Sequence, residues 1–441
     1  STDVSHYAGT FERAFDTKVA GVRMQVPIMR IHTVAAGGGS ILHFDGMRLR
    51  VGPDSAGANP GPACYRRNGP LALTDCNVML GKLDQRFFPS QFGPNADEPL
   101  DVDIVGIEFK RFAQEINAAT GSGQSAEAIA EGFLRIAVEN MANAIKEISV
   151  QRGYDVTGYT LNCFGGAGGQ HACHVADALG MTRIFLHPFA GVLSAYGMGL
   201  ADIRALRERA VEAELDAPLI PRLEAALGEM ESEAQAELTT QGLNAEQVSI
   251  QHKVHVRYGG SDTAIIVAFG NARAIRARFE EKHHAQYGFT LPDKILMVEA
   301  VAIEAVGATE EVLEKVSIVD GDATLLRSPE PMLVKPVFTG GRFHDTPFFD
   351  RDALSPGTLV IGPAVIIEPT GTAVVEPGWA CTVGHHASMV LERIKPLERE
   401  TKLGTDADPI MLEVFNNLFM SIAEQMGAAL QNTAYSVNIK E

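Results

Sequence analysis

Residues 163–174 read CFGGAGGQHACH, with four glycines in the five positions 165–169. A short apolar run, YTLNCF, leads in, and a helix-like stretch, GQHACHVADALG, leads out. Glycine loses more backbone freedom on folding than any other residue, so such a cluster marks special dihedrals or a close approach of main chain to something else. A strand ending in a glycine turn that feeds a helix N-terminus can hold an anion or a nucleotide, through free N–H groups and the helix dipole. With no β-carbon at Gly165, Gly166, Gly168 or Gly169, a flat ring or a phosphate could touch backbone. The spacing is neither the dinucleotide fingerprint nor the P-loop, since no Gly-Lys-Ser/Thr follows. The competing reading is a tight strand–helix connection packed against its own sheet, and spacing alone leaves both open.

Working outward, TRIFLHP reads as the next strand and GVLSAYGMGLADIR as the next helix, an alternation that implies a parallel α/β core. Upstream, a helix over 125–152 presents Phe133, Ile136, Val138, Met141, Ile145 and Ile148 on one broad face, with Gly153 placed as its stop. Residues 1–52 carry β-branched, alternating segments that read as paired strands, and an irregular Gly/Pro-rich loop follows over 52–70. Downstream of Ala205 the chain turns Ala/Glu/Leu-rich and reads as helical to about residue 242. Then come two strands about a Gly-Gly turn, the helix NARAIRARFEEKHHAQYG and the strand ILMVEAVAIEAVG. Short strands between Gly/Pro turns over 331–394 read as a small β unit. After a charged linker, a helix over 409–432 repeats Leu412, Phe415, Phe419, Ile422, Met426 and Leu430 at helical spacing.

A chain of 441 residues is long enough for two or three domains. Its formal charge of −18 disfavours nucleic acid and anionic membranes as partners, though backbone N–H groups can hold a phosphate whatever the net charge. No run reaches the length of a membrane span and no signal peptide opens the sequence. Five scattered cysteines fit a reduced, cytoplasmic compartment rather than a disulfide framework. Both ends read as cut from something longer.

Three lesser features remain. VAAGGGSI, residues 34–41, reads equally as a bulge, a hairpin turn or a functional loop. Ser1-Thr2-Asp3 could serve Mg²⁺ or phosphate oxygens, or be a frayed polar end. His171, Cys173 and His174 tempt a metal reading, but residues two apart on a helix point to different sides, and no second pair stands at zinc spacing. His283-His284 and His385-His386 read as exposed pairs, and no cysteine carries a nucleophile signature.

Several long motifs are recognisable together: STDV, VAAGGGS, VGPDSAGANPGPACY, TDCNVMLG and RGYDVTGYTLNCFGGAGGQHACHVADALGM. In this order they resemble the hydantoinase/5-oxoprolinase family, with the ATP-dependent 5-oxoprolinases as nearest likeness. FFDRDALSPGTLVIGPAVIIEPTGTAVVEPGW resembles the end of the family's A-type part, and residues from about 408 resemble the start of its B-type part.

The resemblance implies a fold class: α/β, the second lobe of an actin-like (ribonuclease H-like) ATPase over 1–204, then an α+β segment over 205–330. A small β-rich unit with linker over 331–400 and the first B-type helix over 401–441 complete it. It implies ATP and Mg²⁺ as cofactors, a small cyclic amide as substrate, a homo-oligomer, and partners in a first ATPase lobe and B-type remainder of the same polypeptide. The implied reaction is 5-oxo-L-proline, ATP and water to L-glutamate, ADP and phosphate, with this stretch alone expected to be inactive. An N-methylhydantoinase, a ketone carboxylase subunit or a non-catalytic actin-like nucleotide-binding module are the alternatives. On the same resemblance, Gly165, Gly166, Ala167, Gly168, Gly169, Gln170 and His171 would line the nucleoside. Thr2 and Asp3 would lie by the phosphates, Asp3 as a candidate Mg²⁺ ligand, and Gly37, Gly38 and Gly39 would sit between nucleotide and substrate.

Overall fold

The apolar runs that flank the glycine bend become neighbouring strands of one sheet. The computed structural model describes all residues except 10–12, 15–16, 20–21, 25–27, 151–152, 262, 308–328, 385, 398–408 and 434–441.

In the N-terminal part, β1 (Thr2–Ser5) pairs antiparallel with β2 (Ile31–Val34), while β3 (Ser40–Phe44) and β4 (Leu49–Ser55) form a hairpin. Three helices follow: α1 (Leu73–Met79), α2 (Val102–Thr120) and α3 (Ala126–Ile148). Helix α3 starts where the Ser125 hydroxyl accepts the Ala128 N–H at 3.2 Å, satisfying one orphan donor of the first turn. It then buries Ile129, Phe133, Ile136, Ala137 and Met141 in the main core, with Phe133 stacked on Phe112 of α2 at 5.7 Å. Each of the larger side chains contributes about 1.5–3 kcal/mol on removal from water, which is why this helix is the spine of the unit.

Next come β5 (Thr160–Cys163), α4 (Ala172–Leu179), β6 (Arg183–Leu186) and α5 (Leu193–Gly199). β5 and β6 are parallel, as the alternation implies. The rest of their sheet is not. Its order beyond β6 is filled from the far end of the chain by β17 (Met389–Arg393), β16 (Trp379–Val383) and β13 (Leu359–Ile361), all antiparallel. The expectation of a parallel core therefore holds for one pair, because long-range chain return supplies the other strands.

Between these segments lies a second core. β7 (Ile203–Glu214), β8 (Val248–Tyr258), β9 (Ile265–Ala268) and β10 (Leu296–Gly307) form an antiparallel sheet in the order β7-β10-β8-β9, covered by α6 (Leu219–Thr240) and α7 (Ala272–Tyr287). Residues 205–214 were expected to be helical from their Ala, Glu and Leu content, and they form a strand instead. Pairing along β10 and ion pairs from Arg207 to Glu237 (2.5 Å) and Arg209 to Glu229 (2.6 Å) on α6 override helix propensity. His283, expected on the surface, is buried on α7 with Nδ1 2.8 Å from the Phe289 carbonyl. His284 is exposed, and His385 lies outside the described residues.

Four further strands, β11 (Leu333–Thr339), β12 (Arg342–Asp350), β14 (Ala364–Glu368) and β15 (Gly371–Val375), make another sheet. Its β11–β12 turn uses Gly340 and Gly341, both at positive φ, and their N–H groups donate to Glu131 of α3 at 2.6 and 3.0 Å. Finally, α8 (Pro409–Thr433) docks on α3: Ile410 fills a notch at Gly132, where an added Cβ would stand 2.3 Å from its Cδ1. The later turns of α8 leave Phe419, Met420, Met426 and Leu430 exposed. Helix α3 itself ends at Ile148, short of Gly153. Gly153, at φ +84°, is needed where the backbone passes α7, with Ala285 O at 2.1 Å from a built Cβ.

Candidate functional site

The four glycines of the bend have different physical jobs. Gly165 takes φ +89° with open space where a side chain would stand, so its requirement is conformational. The others are packing glycines. A Cβ on Gly166 would lie 2.9 Å from Thr370 O, one on Gly168 2.9 Å from Cys163 Sγ, and one on Gly169 2.7 Å from Thr372 O. The β14–β15 turn is thus pressed against the back of the bend. The reading of a tight strand–helix connection therefore holds on this side of the loop.

The front of the bend faces a cavity of about 900 Å³, within the range of small-molecule sites. Gly165, Gly166, Ala167, Gly168 and His171 line it, and so, from across the space, do Thr2, Asp3, Gly37 and Gly38. Sequence positions over a hundred residues apart therefore share one enclosure. Met141, Ile145 and Ile148 of α3, with Val175 and Met181, give it an apolar wall. Gly39, Gly169 and Gln170 are not on its surface. Gln170 is buried behind it, its Oε1 accepting from Asn77 Nδ2 at 2.8 Å.

The facing wall is fixed by short hydrogen bonds. The Thr2 hydroxyl donates to Ala36 O at 2.5 Å, and the Thr33 hydroxyl donates to Asp3 Oδ1 at 2.6 Å. Gly37 leaves no room for a Cβ, which would fall 2.7 Å from the Ser1 nitrogen. Gly38 is held through its carbonyl by the backbone N–H of Thr74 at 2.9 Å and its hydroxyl at 3.0 Å.

Thr74 belongs to a stretch, 73–82, that fastens both walls. The buried Asp75 carboxylate accepts N–H groups of Ala63 (3.0 Å), Cys64 (2.9 Å) and Ala72 (2.8 Å), while burial pushes its pKa up. Asn77 holds Gln170, and Lys82, 0% exposed, pairs with Glu376 at 2.6 Å. Glu376 also accepts the Thr339 hydroxyl at 2.7 Å and lies 2.9 Å from His174 Nε2. Burial alone would raise the Glu376 carboxyl, but the His174 and Lys82 charges and their hydrogen bonds hold it well below the usual range. Sequence reasoning passed over Lys82 and Glu376, since neither stands in a glycine motif and they are 294 residues apart.

His171 sits between this charge cluster and the cavity, as the residue that caps α4. Burial first, then the Lys82 and His174 charges, lowers its pKa to about 3, so the ring is neutral. Burial, with the Glu368 charge, pushes the Cys163 thiol up to about 12, which removes it as a thiolate nucleophile. Among the described residues no group of three or more His, Cys, Asp or Glu is placed to hold a metal ion. No helix among them is long and apolar enough to cross a membrane.

Models of the Hydantoinase/oxoprolinase, Hydantoinase/oxoprolinase C-terminal domain and Hydantoinase B/oxoprolinase families match residues 1–207, 322–394 and 408–441. The 5-oxoprolinase 1 of Arabidopsis thaliana is 38% identical over 453 aligned residues, covering 100% of this chain and 35% of that protein. The chain belongs to the hydantoinase/oxoprolinase family. It spans about a third of the length of the curated 5-oxoprolinases it matches. The crystal structure of the ATP-dependent caprolactamase from Pseudomonas jessenii is 26% identical with a TM-score of 0.74, over 86% of this chain and 55% of that one. A nucleotide-free acetone carboxylase is 20% identical with a TM-score of 0.61, over 87% and 56% of the two chains, a likeness of fold. In this hydantoinase/oxoprolinase chain, the first two matched segments are stitched into one sheet, β5 and β6 beside β17, β16 and β13.

Proposed function

We propose that this chain forms part of an ATP-dependent cyclic-amide hydrolase that opens 5-oxo-L-proline to L-glutamate, with ATP and water converted to ADP and phosphate. The observation that carries the reading is the cavity shared by the glycine bend, Thr2–Asp3 and Gly37–Gly38. The ATP-dependent caprolactamase of similar fold and the 5-oxoprolinases of similar sequence support it.

A lactam resists hydrolysis because its amide is resonance-stabilised. Transfer of a phosphoryl group to the amide oxygen makes the carbon open to water, and the protein's work in such transfer is mostly positioning and charge neutralisation. We read residues 1–204 as the second lobe of an actin-like ATPase, followed by an α+β region over 205–330, a β-rich unit over 331–400 and the start of the B-type part over 401–441. The residues present fit a nucleotide: the bend offers bare main chain, and the cavity is large enough. They also fit Mg²⁺, which is commonly held by one or two carboxylates together with substrate phosphates; among the described residues Asp3 is the one acidic side chain on the cavity surface.

The test is ADP release by the complete protein with 5-oxo-L-proline, hydantoin, caprolactam and acetone with bicarbonate. Stimulation by 5-oxo-L-proline is expected. Stimulation by another substrate alone would reassign the chain within its family, and none at all would leave it a nucleotide-binding module.

A further inference from the structure

The cavity separates two pieces of β-sheet. Among the described residues, β1 is bonded along one edge, to β2, and β5 along one edge, to β6. Each strand therefore keeps a row of N–H and C=O groups on its other edge. No backbone bond from a turn or loop among the described residues meets either row. Every residue of Thr2–Ser5 and of Thr160–Cys163 lines the cavity. Successive side chains of a strand point to opposite faces, so a cavity touched by all of them lies along the edge rather than over one face. The two edges also converge. The His6 ring, just past β1, stacks on Tyr154 at 4.0 Å and lies 5.2 Å from Tyr159, just before β5.

One helix covers both pieces. Ala144 and Ile148 of α3 pack with Val4 of β1, and Met141 shares the main core with Val175 and Ala176 of α4, against which Leu161 of β5 packs. Met141, Ile145, Ile148, Val175 and Met181 give the gap its apolar wall. Open edges offer donors and acceptors to a further strand, and an apolar wall above them takes that strand's side chains.

We propose that the gap is a strand slot: an extended, apolar segment of the same polypeptide, from outside residues 1–441, inserts between β1 and β5 and joins them into one sheet. To match the four residues of β5 the inserted strand needs about four or five residues, about 13–17 Å. This chain is about a third as long as the 5-oxoprolinases it matches, so most of such a polypeptide lies outside it. A tethered strand also has a far higher effective concentration than one from a second copy. The glycine bend lies beyond the last residue of β5, so the slot stands whatever binds at that end of the cavity.

The experiment uses the complete protein without nucleotide. A photoreactive diazirine analogue of leucine is placed at position 161 and irradiated, and the products are sized and mapped by mass spectrometry. Insertion into an apolar segment outside residues 1–441, at the mass of a single chain, is expected. No insertion outside residues 1–441, or insertion only in a product of doubled mass, would overturn the proposal. Hydrogen exchange at single-residue resolution is the second readout and needs no substitution. With both edges bonded, every amide of Thr2–Ser5 and Thr160–Cys163 should exchange about a hundredfold or more slower than a free amide. Fast exchange at alternate amides, the pattern of an open edge, would equally overturn it.

Discussion

Replacing Glu376 by alanine is expected to be among the most damaging single changes in the main core. Its carboxylate, 3% exposed, receives Lys82 at 2.6 Å, Thr339 at 2.7 Å and His174 at 2.9 Å. Alanine removes all three contacts and leaves the Lys82 ammonium buried with no counter-charge, which by analogy with other broken buried pairs costs about 3–5 kcal/mol. The loss of the Thr339 bond adds about 1 kcal/mol. Urea denaturation at pH 7.5 can be followed through Trp379, the chain's single tryptophan, fully buried with its indole N–H on Asp177 at 3.1 Å. The double variant Lys82→Met, Glu376→Leu removes both charges and should lose less than about 2 kcal/mol, since apolar replacement of a buried pair is often near neutral. The sign of the pH effect follows from the depressed carboxyl of Glu376. Its contribution is present above the unfolded pKa of about 4.3 and is lost as pH falls through the lower folded value. Glu376→Gln, with no carboxylate to protonate, should not show that acid loss. If Glu376→Ala stays within about 1 kcal/mol of wild type, or the double variant is as unstable as the single, the cluster does not organise this core.

Gly169→Ala places a methyl 2.7 Å from Thr372 O and should cost about 1–3 kcal/mol by urea denaturation, because the β14–β15 backbone has to move. Gly197→Ala, in open space on α5, should be neutral or slightly stabilising in the same assay. On α8, Phe419 is 68% exposed, so Phe419→Ser should change stability by less than about 0.5 kcal/mol. The same change should reduce self-association in sedimentation equilibrium if that face joins copies of the chain. Ile410→Ala, by emptying the Gly132 notch, should loosen α8 and speed proteolysis of the segment beyond it.

The elements around the bend were legible because their signals are local. YTLNCF and TRIFLHP are short apolar runs bounded by glycine and proline, and α7 carries both its Asn271 N-cap, which accepts Ala274 N–H at 2.9 Å, and its left-handed Gly288 stop. Helix α2 has comparable signals, Asp101 as N-cap and Gly121 at φ +70°, although the sequence analysis drew no helix from them. The strand nature of 203–214 was not local. Its partner lies about ninety residues on, at Ala300 opposite Ala210, and helix-forming residues line it. The glycine motifs pointed to main-chain contact without saying with what. For Gly166 and Gly169 the answer is Thr370 and Thr372, two hundred residues away, a pairing that no single-sequence spacing encodes. Thr2, Asp3 and the glycines at 37–38 were placed at the site by motif likeness alone, and their common cavity with the bend emerges from the fold.

Hydrogen–deuterium exchange of the complete protein with and without ADP tests the nucleotide cavity most directly. The account predicts slower exchange in the segments 34–39 and 163–171 when ADP is added. Tight ADP binding with both segments unchanged would contradict it.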